Sequence, residues 1–405
     1  MAESGSGAAS PSLEKLLERL AEFEPVELPF ISLYLNAQAN ENGRTDFDRF
    51  LRKEFSERAK TFAAHTPERE SFDRDVERIT EYLKDVRPSA NGVVIFACAG
   101  ADDFFQAVQL DAPVEDHMLY IYNQPHLYPL ARLAEQFKRY AVLVADTNRA
   151  RVFVFGRGRV LDSEEIQNVK TNRSKVGGWS QMRYQRHLEN YHMQHAKEVV
   201  ETLERTVREE GIDDVIIAGD EQIVPLLREQ MPKQLEEKIV DVLSLDIRAQ
   251  EKEIFAETLE VMREHDAETD AERVRALVDA YRAGGLAVVG SEAVLDALAM
   301  GQVDELFLTA QMRAIEGDRD DVAILSDNEV VEPEVASSDP AIVANVEADS
   351  VIVADDLVTR AQQTSASVRF IEDPALLADY GGVAATLRYR LQPPTTDSAP
   401  QPQHA

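Results

Sequence analysis

Residues 140–160 read YAVLVADTNRARVFVFGRGRV, which is two β-rich runs on either side of a Thr-Asn turn. From Tyr184 onward, mostly apolar residues recur every three or four positions, and this spacing predicts a long helix that ends at Gly211. The runs DVIIAG (214–219) and KIVDVLSL (238–245) follow, and a short helical stretch separates them, as in a β-α-β unit. The order of these elements predicts a mixed sheet with helices packed on it.

The segment before this block contains strand-like runs separated by turn signals. These runs are FISLYL (30–35), GVVIFAC (92–98), FQAVQL (105–110) and HMLYIY (117–122). A polar helical stretch extends from about Asp46 to Val86, between the first run and the second. We expect an α+β domain here.

The segment after the block begins with a charged helical stretch at 247–283. Runs that resemble strands and helices then alternate. They are LAVVG (286–290), SEAVLDALAMG (291–301), DELFLT (304–309), SVIVAD (350–355) and SVRFIE (367–372). This alternation predicts a small α/β sandwich.

The chain is therefore predicted to have three domains, of the α/β and α+β classes. The expected boundaries are 1–136, 137–246 and 247–405. The last domain contains an acidic insertion at 316–356, where thirteen Asp or Glu residues accompany a single basic residue, Arg319. A solvated loop and a tail that reaches for a basic partner both fit this composition.

The composition, with a formal charge of −31 at pH 7 and a single cysteine, excludes several classes of protein. A net-negative body repels nucleic acid, so we expect no DNA binding and no non-specific RNA binding by the whole surface. Cys98 alone cannot form an internal disulfide or a Cys-based metal site. The sequence has no run of about 20 apolar residues and no signal-peptide pattern. We therefore expect a soluble, cytoplasmic protein that does not enter a membrane.

The stretch KTNRSKVGGWSQMRYQR (170–186) departs from this acidity, because it has five basic residues and no acid. Its glycines free the backbone, and its basic side chains can contact phosphate without reading a base sequence. The candidate RNA-binding residues are Lys170, Arg173, Lys175, Trp179, Arg183 and Arg186. Trp179 can either stack on a base or hold the loop against the protein.

The same stretch matches none of the common catalytic or nucleotide-binding motifs. Gly177 and Gly178 do not form a dinucleotide-binding or Walker loop, and Ser180 lacks the second glycine of a nucleophile elbow. The histidines of the following helix do not converge on a metal, because His192 lies about 140° around the helix from His187. We therefore predict no metal and no cofactor. A Gly-Gly pair by itself is typical of a surface turn, in which Ser180 would cap the helix.

The run VGGWSQMRYQRHLENYHMQHAKEVVETL (176–203) resembles the catalytic segment of archaeal and eukaryotic class I peptide-chain release factors, in which a Gly-Gly-Gln loop precedes a helix. Other stretches resemble the domains of that family in order. They are NGVVIFACAG (91–100), HMLYIYNQPHLYPLARL (117–133), YAVLVADTNRARVFVF (140–155), GSEAVLDALAMGQVDELFLT (290–309) and GGVAATLRYRL (381–391). Over residues 30–391 the chain is identified as a bacterial homologue of the archaeo-eukaryotic release factor and Pelota superfamily.

The resemblance implies a set of catalytic residues. Gln181 matches the family's glutamine, with Trp179 and Ser180 between it and the Gly177-Gly178 pair. This spacing resembles the Gly-x-x-Gln variant of the peptidyl-tRNA-cleaving branch that is linked to ribosome quality control. The implied catalytic residues are Gln181, Gly177, Gly178 and Ser180.

The first domain departs from the stop-codon-reading members of the family. Residues 51–71 contain nothing like the Asn-Ile-Lys-Ser loop of those members. The resemblance therefore implies codon-independent hydrolysis of the peptidyl-tRNA ester on stalled ribosomes, which is a rescue or quality-control activity. The implied partners are the ribosome with its RNA, peptidyl-tRNA, and a translational GTPase that has the nucleotide-binding motif missing here.

Two other functions stay open at this point. One is a non-catalytic hibernation or stress factor that occupies the idle decoding site of the ribosome. The other is a structural RNA-binding adaptor, which would bind free RNA without the assembled ribosome. In the hibernation factor, unlike the hydrolase, Gln181 would have no catalytic role. The RNA-binding adaptor would bind free RNA, whereas the hydrolase needs the assembled ribosome.

Overall fold

The computed structural model describes residues 13–38, 47–87, 90–110, 113–136, 139–156, 159–167, 181–220, 222–317, 334–337 and 348–390. Within these residues no helix has both the length and the apolar character that a membrane span requires.

The described helices and strands form three sheets with helices packed on them. The helices are α1 (Leu13–Ala21), α2 (Phe47–Arg58), α3 (Pro67–Leu83), α4 (Tyr128–Gln136), α5 (Gln181–Glu210), α6 (Ile223–Gln230), α7 (Lys233–Glu236), α8 (Glu251–Arg282), α9 (Ser291–Ala299) and α10 (Ala348–Gln363). The strands are β1 (Phe30–Asn36), β2 (Gly92–Cys98), β3 (Phe104–Leu110), β4 (Met118–Tyr122), β5 (Tyr140–Ala145), β6 (Arg149–Gly156), β7 (Arg159–Gln167), β8 (Asp214–Gly219), β9 (Ile239–Leu243), β10 (Ala287–Val289), β11 (Val303–Thr309), β12 (Glu334–Ser337), β13 (Ser367–Ile371) and β14 (Val383–Leu387). We call the sheets the first (β12-β4-β1-β2-β3), the middle (β7-β6-β5-β8-β9) and the third (β10-β14-β11-β13). This confirms the mixed α/β and α+β class predicted from the sequence.

The first sheet is antiparallel and has helices over it. All of β2 is buried, which explains its continuous apolar sequence. On one face, α2 and α3 contribute Phe55 and Phe72 to the core beneath them. The Thr66 hydroxyl begins α3 by accepting the Arg69 N–H, and Pro67 fits the first turn because it has no N–H to donate.

The middle sheet mixes antiparallel and parallel neighbours, as predicted. β5 and β6 form a hairpin, and in its turn the Asp146 carboxylate accepts the backbone N–H groups of Asn148 and Arg149. β5 pairs in parallel with β8, and β8 pairs in parallel with β9. The long helix α5 ends before Gly211, whose φ of 63° suits a glycine at a helix end.

The third sheet is built around β11, which is parallel to β13 and antiparallel to β14. After β14, Arg388 and Arg390 donate hydrogen bonds to backbone carbonyl oxygens just beyond the ends of α10 and α8. The acceptors are Ser365 and Gly284, at 2.5 and 3.0 Å. These bonds satisfy carbonyl groups at two helix ends and so fix both helices to the end of the sheet.

One predicted element is wrong in detail. The single helical stretch predicted from Asp46 to Val86 is two helices, since Thr66 and Pro67 start a new one. The run SVIVAD (350–355), whose type the alternation leaves open, lies in α10, because a short run that is buried on every side looks the same in a strand and a helix. The helix α1 and the strand β7 were not predicted.

The strand β12 lies inside the predicted acidic insertion 316–356 and pairs with β4 at the edge of the first sheet. The Arg58 side chain donates to the Val335 carbonyl oxygen at 3.1 Å. The insertion therefore supplies a strand to the first sheet as well as the start of α10. The boundaries of the three domains stay a prediction.

The first and third sheets share one apolar core. Its buried side chains come from β1, β2, α1 and α4 on one side and from α9, α10, β11 and β14 on the other. The Gln363 side chain donates to the Ala21 carbonyl oxygen at 2.7 Å, and the Tyr128 hydroxyl donates to that of Thr309 at 2.5 Å. Separating the two sheets would expose this core to water, at about 25 cal/mol per Å² of apolar surface.

A buried carboxylate joins the two sides of the shared core. Asp355 of α10 accepts the backbone N–H groups of Leu127 and Tyr128 at 2.9 and 3.0 Å, so it caps α4 from a distant part of the chain. Its other oxygen contacts the His126 Nδ1 atom, and both side chains are buried. We call Asp355, His126 and the two N–H groups the Asp355 clasp.

Groups of the first sheet surround the histidine of the clasp. The Ser32 hydroxyl accepts the His126 N–H at 3.0 Å, and the Tyr34 hydroxyl donates to the His126 carbonyl oxygen at 2.5 Å. The ring centroid of Tyr120 lies 3.6 Å from that of His126. Burial, followed by the nearby Asp355 carboxylate, raises the pKa of Tyr34 and Tyr120 above the ordinary value. Both tyrosines therefore stay neutral, and Tyr34 keeps the proton that it donates.

Asp355→Ala should lower the free energy of unfolding by about 3–5 kcal/mol, because it leaves two N–H groups and His126 without their acceptor in a buried site. Urea unfolding followed by circular dichroism measures this. Asp373→Ala is the matched control, since Asp373 caps a short exposed turn through the Ala375 N–H, a role worth about 1 kcal/mol. Equal losses in the two variants would contradict the special role of the clasp.

Candidate functional site

The candidate loop lies between β7 and α5. Seven of its predicted residues are outside the described residues, namely Lys170, Arg173, Lys175, Gly177, Gly178, Trp179 and Ser180. For Gln181, Arg183 and Arg186, the structure describes the helical backbone of α5 and not the side chains. The strand β7 before the loop and the helix α5 after it are described as backbone elements.

Strand register fixes the edge of the middle sheet from which the loop departs. Gln167, the last residue of β7, is paired with Arg149, the first residue of β6. Because β7 and β5 are both antiparallel to β6, β7 points in the same direction as β5, β8 and β9. The loop therefore leaves from the edge where the carboxyl ends of these strands lie, which is the edge that binds ligands in many α/β sheets.

Acidic residues at this edge shape its turns. Asp146 follows β5, as described above, and Asp220 follows β8. The Asp220 carboxylate accepts the backbone N–H groups of Gln222 and Ile223 at 3.0 and 2.8 Å, which starts α6. The Asp246 carboxylate, after β9, accepts a backbone N–H in the same way. Nowhere in the described ranges do three or more His, Cys, Asp or Glu side chains form a group that could hold a metal ion.

Helix α5 runs from the end of the loop to residues that are buried against the middle sheet. The buried positions along its described part are His195, Ala196, Val199, Val200, Thr202, Leu203 and Val207. The apolar members of this stripe belong to the core between α5, α6 and the middle sheet. Gln181, the first helical residue, precedes His195 by 14 positions, which corresponds to roughly 20 Å along the helix axis at 1.5 Å per residue.

A surface ion pair connects the two elements that hold the loop. Arg205 of α5 contacts Glu164 of β7 with a nitrogen-to-oxygen distance of 2.8 Å. Both side chains are about half exposed, so the pair contributes at most about 1 kcal/mol. Packing of the stripe, rather than this pair, therefore holds α5 in place.

The opposite face of the middle sheet is covered by the first half of α8, where Ile254 is fully buried. The Tyr140 hydroxyl oxygen lies 3.2 Å from that of Thr258, and burial raises the pKa of Tyr140 to about 12. The second half of α8 packs Val274 and Leu277 against the third sheet. One continuous helix thus connects the sheet that holds the loop with the third sheet.

An ion-pair cluster fixes α8 to the third sheet. The Arg369 guanidinium of β13 contacts the carboxylates of Glu305, on β11, and Asp270, on α8, at 2.8 and 3.3 Å. Burial raises the pKa of Asp270 to about 6, and Arg369 acts in the opposite direction. The carboxylate is therefore charged at neutral pH and available to the arginine.

The strand β7 could not be predicted from the sequence. Its residues, RVLDSEEIQ, are charged and do not alternate cleanly, so only its pairing with β6 identifies it as a strand. The spacing of three or four positions that includes His195, Val199 and Leu203 predicted the helix α5. What no local pattern could provide is the sheet edge to which the loop belongs.

Comparison with known proteins identifies relatives over this part of the chain. Residues 125–263, which include the middle sheet and α5, match the family model "Bacterial archaeo-eukaryotic release factor family 10". Peptide chain release factor subunit 1 of Methanobrevibacter smithii is 22% identical over 407 residues, covering 93% of this chain and 97% of the relative. The protein of the same name from Thermoplasma acidophilum is 23% identical over 400 residues, covering 93% and 94%.

Two solved structures are similar at low TM-score. "Crystal structure of archaeal translation termination factor, aRF1" is 17% identical with a TM-score of 0.26, covering 93% of this chain and 97% of that chain. "Model of ribosome-bound archaeal Pelota and ABCE1" is 13% identical with a TM-score of 0.39, covering 95% and 96%.

Leu203→Ala should lower the free energy of unfolding by about 2–5 kcal/mol, because Leu203 is fully buried in the stripe that holds α5. Chemical denaturation measures the change. Met193→Ala, ten positions earlier on the same helix and 39% exposed, is the control and should change stability by about 0.5 kcal/mol or less. A similar loss from both substitutions would show that α5 is not held by the stripe.

Proposed function

We propose that the chain is a bacterial protein of the archaeo-eukaryotic release factor type, and that it hydrolyses the ester bond of peptidyl-tRNA on stalled ribosomes without reading a codon. As a translation factor of the termination or rescue type, it acts at the ribosome. The observation that carries the proposal is that Gln181 opens α5, the helix that follows the basic, glycine-containing stretch and packs on the middle sheet through its later residues. A loop placed in this way can enter a narrow pocket walled by RNA while the middle sheet stays outside.

The proposed chemistry is attack of a water oxygen on the carbonyl carbon of the ester. The bond to the ribose oxygen of tRNA breaks, the ribose oxygen takes up a proton, and the peptide leaves as a carboxylate. Such a reaction needs an oriented water and donors for the charge that develops on the carbonyl oxygen. The backbone N–H and the side-chain amide of Gln181 are neutral donors of this kind. Gly177 and Gly178 would let the backbone approach the ester closely.

The surroundings of the ester would strengthen these donors. A pocket of ribosomal RNA excludes bulk water, and hydrogen bonds to a developing charge are stronger where water is excluded. Preorganised donors contribute on the order of 10²–10³ in rate. The proposed mechanism therefore needs no carboxylate or histidine of the protein as a base.

The charge of the loop supports attachment to RNA. Its basic residues, Lys170, Arg173, Lys175, Arg183 and Arg186, can neutralise phosphates of ribosomal RNA or of the tRNA acceptor stem. Trp179 adds an aromatic ring that can stack on a base. The proposed partners are thus ribosomal RNA and peptidyl-tRNA, together with a translational GTPase, since the sequence lacks a nucleotide-binding motif of its own.

The region that would read a codon supports codon-independent action. Residues 51–71 form the end of α2, the connection 59–66 and the start of α3. The connection reads AKTFAAHT and contains nothing like an Asn-Ile-Lys-Ser loop. A factor without that loop would respond to the state of the ribosome rather than to a stop codon.

The spacing of the loop favours one alternative. Trp179 and Ser180 separate the glycine pair from Gln181, and this displacement could place the glutamine out of reach of the ester. The chain would then be a non-catalytic hibernation factor that occupies the idle decoding site. Both functions involve ribosome binding, so a measurement of peptide release distinguishes them.

Gln181→Ala should reduce the release of labelled peptide by on the order of 10²–10³, because it removes a donor to the developing oxyanion. The measurement uses bacterial ribosomes that hold peptidyl-tRNA, with an empty decoding site, a sense codon or a stop codon. Ribosome binding by the variant should match that of the unchanged protein. Gln194→Ala is the matched control, because Gln194 is an exposed glutamine farther along α5.

The possible results separate the alternatives. Release that ignores the codon and requires Gln181 supports the hydrolase. Tight ribosome binding without release by the unchanged protein supports the hibernation factor. Release that is unaffected by Gln181→Ala would remove Gln181 from the mechanism, and release at stop codons alone would contradict codon independence.

Charge reversal of Arg173 and Lys175 together should weaken ribosome binding and flatten its dependence on salt. Each lost phosphate contact makes the slope of log K against log salt shallower by about 1. Arg208→Glu with Arg228→Glu serves as the control, since both arginines are exposed on α5 and α6 away from the loop. If both pairs of substitutions had the same effect, the loss would reflect total charge rather than the loop.

A further inference from the structure

The helix α2 presents a basic face on the outside of the first sheet. Its buried residues are Phe47, Leu51, Glu54 and Phe55, which pack toward the sheet. At 100° per residue, Arg49, Arg52 and Lys53 lie on the opposite side of the helix, and all three are exposed. They fall within about 6 Å along the helix axis, at 1.5 Å per residue.

Few carboxylates of the described residues pair with the cations of this basic face. Among the described residues, Arg49 makes no ion pair and Arg52 bonds only to a backbone oxygen, the Asp48 carbonyl at 3.1 Å. Lys53 contacts the Glu54 carboxylate at 2.8 Å, and the Glu54 side chain is buried. The exposed acids on this side are Asp48 and Glu57, and Glu57 is held by Lys60, the next cation along the chain.

Two other helices of the chain expose more acid than base. The exposed acids of α8 are Glu251, Glu253, Glu257, Glu260, Glu264, Asp266, Glu268, Glu272 and Asp279, and its exposed bases are Lys252, Arg263, Arg273, Arg275 and Arg282. The exposed charged residues of α3 are Glu70, Asp73, Arg74, Glu77 and Glu81, of which only Arg74 is basic. A row of adjacent exposed cations in a chain of charge −31 therefore stands out against its surroundings.

We infer that the outward face of α2, formed by Arg49, Arg52 and Lys53, is a docking surface for phosphates of ribosomal RNA. The inference rests on the proposed function, because it takes the ribosome as the partner. Arginine matches phosphate geometry with paired N–H donors, and two of the three cations have no carboxylate partner among the described residues. Helix α3 covers the same core as α2, so its exposed acids repel phosphate and confine the favourable contact to the outward face of α2.

A phosphate contact at this place agrees with action that ignores the codon. Contacts to phosphate position a protein on RNA and carry no base sequence. The face lies on the first sheet, whereas the candidate loop departs from the middle sheet. The two basic features therefore attach different parts of the chain to the ribosome, one to hold the protein and one to deliver the loop.

The test is ribosome co-sedimentation of the full chain across a range of potassium chloride concentrations, with Arg49→Gln and Arg52→Gln combined. We expect affinity to fall roughly tenfold or more at low salt, and the slope of log K against log salt to become shallower by about 2. Arg49→Lys with Arg52→Lys keeps both charges and should keep the slope. Arg228→Gln with Arg275→Gln is the matched control, because these exposed arginines on α6 and α8 have no described ion-pair partner.

The results distinguish this inference from the proposed function. If the unchanged protein does not bind ribosomes, the proposed function fails and this inference fails with it. If the unchanged protein binds and the combined glutamine variant binds equally well with the same slope, the α2 surface alone is refuted. A loss of affinity without a change of slope, or an equal loss in the control pair, would also overturn phosphate docking at α2. The circular dichroism and melting temperature of each variant should match those of the unchanged protein, since all the altered residues are exposed.

Discussion

The arrangement of the first and third sheets depends on one buried carboxylate, Asp355. A charge in an apolar core persists only where its oxygens are satisfied, and here the Leu127 and Tyr128 N–H groups and the His126 ring do this. These partners lie 227 to 229 positions away in the chain. Apolar side chains from both sides then close a single core around the clasp. Two sheets that are far apart in sequence thus behave as one packed unit.

The middle sheet is attached in another way. Its two cores, one under α5 and one under α8, contain described residues of the middle block and of the first half of α8. The continuous helix α8 leads from there to the third sheet, where Asp270 meets Arg369. The sheet that holds the candidate loop is therefore a separate packing unit on the end of a helical connection. Such a division suits the proposed function, in which one part of the chain binds and another delivers the loop.

The basic residues are also divided between the two packing units. The chain is strongly acidic, yet basic residues are concentrated in the stretch 170–186 and on the outer face of α2. For RNA, the proposed partner, acidic surfaces elsewhere would discourage other orientations, because like charges repel. Local basic surfaces on an acidic body select an orientation more sharply than a uniformly basic surface would. The composition of the whole chain is therefore a poor guide to the partner, and the placement of a few cations is a better one.

The sequence by itself determined the strands with unbroken apolar runs and the long helix α5 with its end at Gly211. Local periodicity and the backbone preference of glycine are enough to predict these elements. The composition of the candidate loop is likewise a property of the sequence alone. The resemblance to release factors is also a matter of sequence runs, of which the loop at 168–180 lies outside the described residues. Only the tertiary structure decided that SVIVAD (350–355) is helical, since burial on every side removes the periodicity that separates helix from strand. The same holds for β7, for the sheet edge that carries the loop and for the meeting of Asp355 with His126. Each of these depends on contacts between residues that are distant in the chain, which no local pattern records.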